Sequence, residues 1–242
     1  DDVVDNAVIR RGNTSANSLW GNEASVLIGD YMYAKSFSVM IEDGDIRILN
    51  LLSKATTVMA EGEVLQLVKA NDIEATEEDY INIITMKSAV LFSASCQTGA
   101  ILADVSKEEE KALSSFGINL GIAFQLIDDS LDYTSQNEGF GKAIGADLQE
   151  GKMTLPLIEM LKKAEGSERK EVIGLMENEK DIKDADLKRV IELINKYHGI
   201  EYTVSKAEGY IREAKKDLEI FKDSKHRQAL LTLCDFVLNR ET

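Results

Sequence analysis

A single proline, Pro156, interrupts 242 residues. Proline is the residue that a helix interior tolerates least, and only 16 glycines add to the breakers, so the chain favours long helices over a turn-rich β fold. The apolar periodicity agrees. Residues 21–41 carry Val26, Leu27, Tyr31, Ala34 and Phe37 at helical spacing behind the breakers Gly21 and Asn22. Residues 45–69 follow, with Ile48, Leu49, Leu52, Ala55, Val58 and Met59 on one stripe. Thr76-Glu77-Glu78-Asp79 has the form of a capping box and opens a helix to about residue 103. Ser106-Lys107-Glu108-Glu109 repeats that signal and opens another, ending near Tyr133. Residues 134–151 are polar, with Gly139, Gly141 and Gly145, and read as a loop. Four or five shorter helices complete the chain, with Gly199 at a break between two of them. Propensity alone would make a strand of residues 3–9, but one isolated strand has no partner here. The expected fold is all-α, in one domain spanning 1–242 without repeats or linkers.

With 44% hydrophobic residues, the chain can bury a substantial core. Its formal charge of −15 disfavours nucleic acid or anionic lipid as a general partner. Cys96 and Cys234 lie far apart without a CxxC spacing, which argues against a disulfide framework or thiolate zinc and for a reducing cytosol. No apolar run approaches the ~18 residues of a membrane span.

Two acidic strings carry the chemistry: Asp1-Asp2-Val3-Val4-Asp5 and Asp128-Asp129-Ser130-Leu131-Asp132. On a helix, carboxylates at i and i+4 stack while i+1 flares beside them. That makes a hard oxygen surface suited to Mg²⁺, which binds through a few carboxylates plus substrate phosphates. A lone acidic string in an acidic protein is weak evidence, since solvated helix faces contain such strings. The second copy is stronger. Leu113, Phe116, Leu120, Phe124, Ile127 and Leu131 form an apolar stripe, while Gln125, Asp128, Asp129 and Asp132 share a separate arc. Carboxylates beside a buried stripe are destabilising unless cations compensate. Cations are at hand: Arg10-Arg11-Gly12 follows the first cluster, Lys87 and Ser88 sit mid-helix, and Lys142 and Lys152 bracket the glycine-rich segment. Most lysines and arginines are ordinary surface charges. Arginine nevertheless suits bidentate phosphate contacts and lysine serves as a point charge, so the set describes a site for a hydrophobic diphosphate.

The string from Phe124 through Tyr133, the 141–152 segment and Thr154-Leu155-Pro156 together resemble the trans-isoprenyl diphosphate synthase (polyprenyl synthetase) family. Residues 1–12 resemble its first aspartate-rich motif with the trailing Arg-Arg-Gly. Gly21-Asn22-Glu23-Ala24-Ser25-Val26-Leu27 and Glu61-Gly62-Glu63-Val64-Leu65-Gln66-Leu67 are similar to the long-chain branch, nearest the bacterial octaprenyl diphosphate synthases. The resemblance covers essentially the whole chain. It implies an isoprenoid-synthase helical bundle around a central apolar cavity, usually a homodimer, and about three Mg²⁺ per site bridged by diphosphate.

By that resemblance, Asp1, Asp2 and Asp5 bind Mg²⁺ at the allylic diphosphate, and Asp128, Asp129 and Asp132 complete the metal shell. Arg10 contacts the allylic diphosphate, such as farnesyl diphosphate, and Arg11 the isopentenyl diphosphate. Lys87, Lys142 and Lys152 neutralise the departing diphosphate. Gln125 and Ser88 lie near the reacting carbons, and the family more often has Thr at the second position. His198 and His226 are not expected to act as bases, because bound pyrophosphate can accept the proton. The family also carries a Gly-Lys-x-x-Arg type motif and a histidine ahead of the first cluster. This sequence opens on Asp1, so an N-terminal segment is expected to be missing.

The function implied is Mg²⁺-dependent synthesis of a long all-trans polyprenyl diphosphate for a quinone side chain. Rival readings are a short-chain (C15 or C20) synthase, a class I terpene cyclase, and a non-catalytic partner subunit. Cyclases commonly pair one Asp motif with an Asn/Ser/Glu motif, which this chain lacks. Partner subunits often lose one Asp cluster, and both are intact here.

Overall fold

The computed structural model describes residues 2–5, 7–10, 12–134, 145–177 and 183–240. A minimal hairpin, β1 (Ile9–Arg10) against β2 (Asn13–Thr14), precedes the helices, with Ile9 opposite Thr14. The stretch 3–9 is indeed no strand: residues 2–5 form a turn, and only Ile9 of that stretch enters β1. Its partner is local, and Gly12 supplies a positive φ of 76° at the turn.

Short α1 (Ala16–Trp20) leads into α2 (Asn22–Asp43), and Gly44 in the left-handed region turns the chain into α3 (Ile46–Val68). Asp45 caps α3 by accepting from the Arg47 N–H. The next helix is one rod in three parts: α4 (Glu77–Ile84), a π-helical turn at Thr85–Ala89, and α5 (Val90–Leu102). The expected capping box forms, with Thr76 and Asp79 bonded reciprocally. Helix α6 (Lys107–Leu131) starts at the second box, Ser106 with Glu109, and packs on α5 along one side. That crossing is close because two glycines allow it. A Cβ on Gly117 would lie 2.5 Å from the Ser93 Cα, and one on Gly121 2.6 Å from the Ala89 Cα.

Beyond the one-turn α7 (Ala146–Gln149), Pro156 falls in the first turn of α8 (Leu155–Lys163). There its missing N–H is one the helix leaves unbonded anyway. Then come α9 (Gly166–Glu177), α10 (Asp184–Lys196), α11 (Gly199–Asp217), a 3₁₀ turn at Leu218–Ile220, and α12 (Lys225–Leu238). Helix α11 forms the most extensive packing partner of α6, and α8 and α12 flank the pair. Phe116, Leu120 and Leu126 of α6 are fully buried with Leu155, Leu157 and Met160 of α8 and Ile211 of α11. Each such side chain contributes roughly 1.5–3 kcal/mol of burial.

Helix α2 departs from the core pattern. Val26 (49%), Leu27 (67%) and Tyr31 (67%) are exposed, because α2 packs chiefly on its chain neighbours α1 and α3. Among the described residues, no helix is long and apolar enough to cross a membrane.

Candidate active site

A cavity of about 200 Å³ opens between α3, the α4–α5 rod, α6 and the segment around α7. Its walls carry Gln125, Asp128 and Asp129 of α6, Lys87 of the π turn, Tyr80, Ile83 and Ile84 of α4, and Gln66 of α3. Asp5, Arg10, Lys69, Ala75, Asp79, Asp147, Lys152, Met153 and Thr154 complete the lining. Charge therefore dominates one part of this cavity, while Ile83, Ile84 and Met153 give the apolar surface expected of it.

One polar chain runs through the helices. Ser88 donates to Gln125 Oε1 at 2.8 Å, and Gln125 Nε2 donates to Asp129 Oδ1 at 2.7 Å. Tyr80, from 49 residues away, donates to Asp129 Oδ2 at 2.7 Å. Gln125 and Asp129 meet because i and i+4 stack on a helix. The π turn brings Lys87 and Ser88 to face α3 and α6, a role such turns often have at functional sites. Gly62 permits the approach from α3, since a Cβ there would lie 2.7 Å from the Lys87 amide nitrogen. Lys87 then pairs with Glu63 at 3.1 Å and donates to Gln66 at 3.3 Å.

Burial pushes the Asp129 carboxyl up to about 8, and the nearby Asp147 adds to it, against the lowering effect of the Gln125 and Tyr80 hydrogen bonds. Burial and the same Asp129 hold the Tyr80 phenol well above its ordinary range, so it remains a donor. Lys152 is surrounded by carboxylates: Asp147 at 3.4 Å, Asp5 at 3.9 Å, and Glu150 in direct contact. Burial opposes its charge, yet Asp147, Glu150 and Asp5 outweigh that and raise it above the usual lysine range. The Asp147 N–H donates to Asp132 Oδ2 at 3.1 Å, and the Gly145 N–H donates to the Asp132 carbonyl at 2.9 Å. Asp132 therefore fastens the turn that presents Asp147 and is not itself part of the cavity lining.

The first acidic cluster is not the helical face expected of it. Residues 2–5 form a turn, closed by the Ala7 N–H on the Asp2 carbonyl at 2.9 Å. Asp2 turns to Arg10 at 3.0 Å, while Asp5 reaches the cavity. Of the residues expected from sequence, Asp5, Arg10, Lys87, Gln125, Asp128, Asp129 and Lys152 line one cavity. Asp2, Ser88 and Asp132 stand behind them, each bonded to a lining residue. Asp1, Arg11 and Lys142 lie outside the described residues.

Sequence reasoning missed Tyr80, Asp147 and Gln66, which have no local signature as a set, and Lys69, Asp79 and Thr154 beside them. It also missed Arg240, which pairs with Asp128 across 112 residues.

The donor set can be tested against Mg²⁺. Among the described residues, no three His, Cys, Asp or Glu side chains converge closely enough to hold a metal alone. Asp5, Asp128, Asp129 and Asp147 nevertheless share the cavity, all with hard oxygens. Mg²⁺ needs only one or two carboxylates when phosphates supply the rest. Asp147 also raises the electrostatic cost of charge on Asp129, which a divalent cation relieves. The residues fit a metal held jointly with a diphosphate rather than a closed metal cage.

Residues 1–194 match the family model described as Polyprenyl synthetase. The chain is 41% identical over 243 residues to octaprenyl diphosphate synthase of Escherichia coli, covering 100% of this chain and 74% of that protein. It superposes on the crystal structure of a polyprenyl synthase from Caulobacter crescentus, complexed with calcium and isoprenyl diphosphate, with a TM-score of 0.95 and 38% identity, over 100% of this chain and 74% of the other. A decaprenyl diphosphate synthase from Rhodobacter capsulatus gives 0.93 and 40%, again over 100% and 74%. A charged cavity walled by Asp-bearing helices, in a bundle shared along its whole length with these enzymes, makes the chain a member of the polyprenyl synthetase family and a prenyltransferase.

Proposed function

We propose that this prenyltransferase condenses isopentenyl diphosphate onto an allylic diphosphate such as farnesyl diphosphate, building a long all-trans polyprenyl diphosphate for a quinone side chain. The observation that carries the proposal is the union, in one cavity, of Asp5, Asp128 and Asp129 with the cations Arg10, Lys87 and Lys152 beside apolar Ile83 and Ile84. The 41% identity to an octaprenyl synthase supports the long product.

Asp5, Asp128 and Asp129 would hold Mg²⁺, about three ions together with the diphosphate, while Asp2 and Asp132 support the site from behind through Arg10 and Asp147. When bound, the metal supplies Lewis-acid stabilisation of the leaving diphosphate. The chain's own residues do the rest. Arg10 grips the allylic diphosphate, and Arg11 the isopentenyl diphosphate. Lys87, Lys142 and Lys152 meet negative charge as it develops on the departing pyrophosphate, where fixed cations in a poorly solvated site act most strongly. Lys152 is suited to this because its neighbours keep it charged despite burial. Gln125, oriented by Ser88 and Asp129, presents a fixed dipole beside the carbon that carries positive charge. Ile83, Ile84 and Met153 exclude water from that carbon. Pyrophosphate takes the final proton.

The exposed apolar side chains of α2, among them Val26, Leu27, Tyr31 and Met32, support a homodimer in which a second copy covers this face. Unpaired Cys96 and Cys234 accord with a cytoplasmic location, and the 242 residues act as one synthase domain. The test is incubation of the full-length gene product with labelled isopentenyl diphosphate, farnesyl diphosphate and Mg²⁺, followed by mass analysis of extracted products. A long all-trans product is expected. A ladder that stops at C20 sinks the long-chain assignment, and no incorporation at all sinks catalysis in favour of a partner subunit.

A further inference from the structure

Arg240, which follows α12, reaches back to Oδ1 of Asp128 on α6. Its guanidinium carbon lies 4.4 Å from the ring centroid of Phe124, one helical turn before Asp128. The two partners differ in freedom, for the Arg240 side chain is 12% exposed and that of Asp128 50%. Arg240 Nε is moreover buried with no hydrogen-bond partner among the described residues. An arginine that leaves a donor unpaired while stacked on a ring is held there by its carboxylate contact and the ring, not by solvation. The arginine is the fixed member, and the cavity-lining carboxylate is what it orients.

We propose that Arg240 is a positioning residue for Asp128: it anchors Oδ1 and leaves Oδ2 outside the pair, aimed for the divalent cation that accompanies the diphosphate. This deepens the prenyltransferase reading and rests on it. The alternative is that Arg240 merely competes with the cation for Asp128. The two have opposite signs. Losing a positive charge beside the site by itself strengthens cation binding, whereas losing an outer partner that orients a ligand weakens metal affinity by roughly 10–100-fold.

The measurement is equilibrium dialysis of labelled farnesyl diphosphate, without isopentenyl diphosphate, over a series of Mg²⁺ concentrations. In Arg240→Gln the Mg²⁺ concentration for half-maximal binding is expected to rise about 10–100-fold, with excess Mg²⁺ restoring the bound fraction. Arg240→Lys should fall between, since lysine keeps the charge but not the planar fork or the stacking. In an Asp128→Asn background, adding Arg240→Gln should change the Mg²⁺ requirement no further, a non-additivity that a purely structural role does not produce. An unchanged or lowered Mg²⁺ requirement in Arg240→Gln overturns the proposal. Should that variant fail to fold by circular dichroism, Arg240→Lys and Phe124→Leu decide, and a wild-type Mg²⁺ requirement in both overturns it. If the wild-type protein binds no farnesyl diphosphate at any Mg²⁺ concentration, the prenyltransferase reading fails and this proposal with it.

Discussion

Replacing Asp129 with asparagine should make the metal-free protein more stable while removing its condensation activity. Asp129 is buried, and its carboxyl titrates at about 8 instead of the ordinary 3.8. A carboxyl raised in the folded state gives stability that is fully present below the unfolded value and is lost as pH rises toward the folded one, because the native state binds the extra proton. A tenfold difference in proton affinity between the folded and unfolded states corresponds to ~1.4 kcal/mol, so by about pH 7 the wild-type protein has lost at most on the order of 4 kcal/mol relative to acid conditions, and by about pH 5 under half of that. Asparagine carries no charge in either state and escapes this loss, so the expected gain at neutral pH is on the order of a few kcal/mol. Asparagine keeps the shape: its Oδ1 accepts from Tyr80, and its Nδ2 donates to Gln125 Oε1 once the Gln125 amide turns over and donates to Ser88 instead. Urea unfolding of both proteins without metal, near pH 5 and near pH 7, reads the difference between them from the midpoints at constant slope. The stabilisation should be larger at the higher pH. An asparagine variant that is less stable than wild type at neutral pH, or a gain that does not depend on pH, refutes the charge argument.

Other perturbations give further tests. Asp128→Ala should abolish Mg²⁺-dependent incorporation of labelled isopentenyl diphosphate with the helical circular dichroism spectrum intact, and retained turnover would contradict its role. Gly121→Ala drives a Cβ to 2.6 Å from the Ala89 Cα, so α5 and α6 must separate, at a cost of about 1–3 kcal/mol seen in urea denaturation. Ser106→Ala removes half of the capping box of α6 and should cost about 1 kcal/mol of stability with no change in the Mg²⁺ requirement.

Much of this architecture is legible in the sequence because it is local. The reciprocal bonds of Thr76 with Asp79 and Ser106 with Glu109 form within one turn, so three-residue spacing is enough to find both helix starts. The apolar arc of α6 is likewise a property of one helix, and Phe116, Leu120 and Ile127 are buried as it requires. Spacing is silent about partners. The Tyr80–Asp129 bond and the Arg240–Asp128 pair join residues 49 and 112 positions apart, and nothing near Tyr80 or Arg240 marks them. The exposed stripe of α2 shows the opposite failure, since helical spacing identifies an apolar face but not whether this chain or another covers it. Lys87 and Lys152, which motif position singles out, line the cavity and pair with Glu63 and with Asp147.

The π turn at Thr85–Ala89 also acts as a phase shifter. One residue more than an α-helical turn rotates everything downstream by about 100° relative to what lies upstream. The rod can thereby aim Tyr80 and Ile84 into the cavity at one end and lay Ala89 and Ser93 against the glycines of α6 at the other. A deletion here is thus a change of face and not a shortening. Insertions and deletions elsewhere in this helix should preserve its packing in proportion to how well they conserve phase.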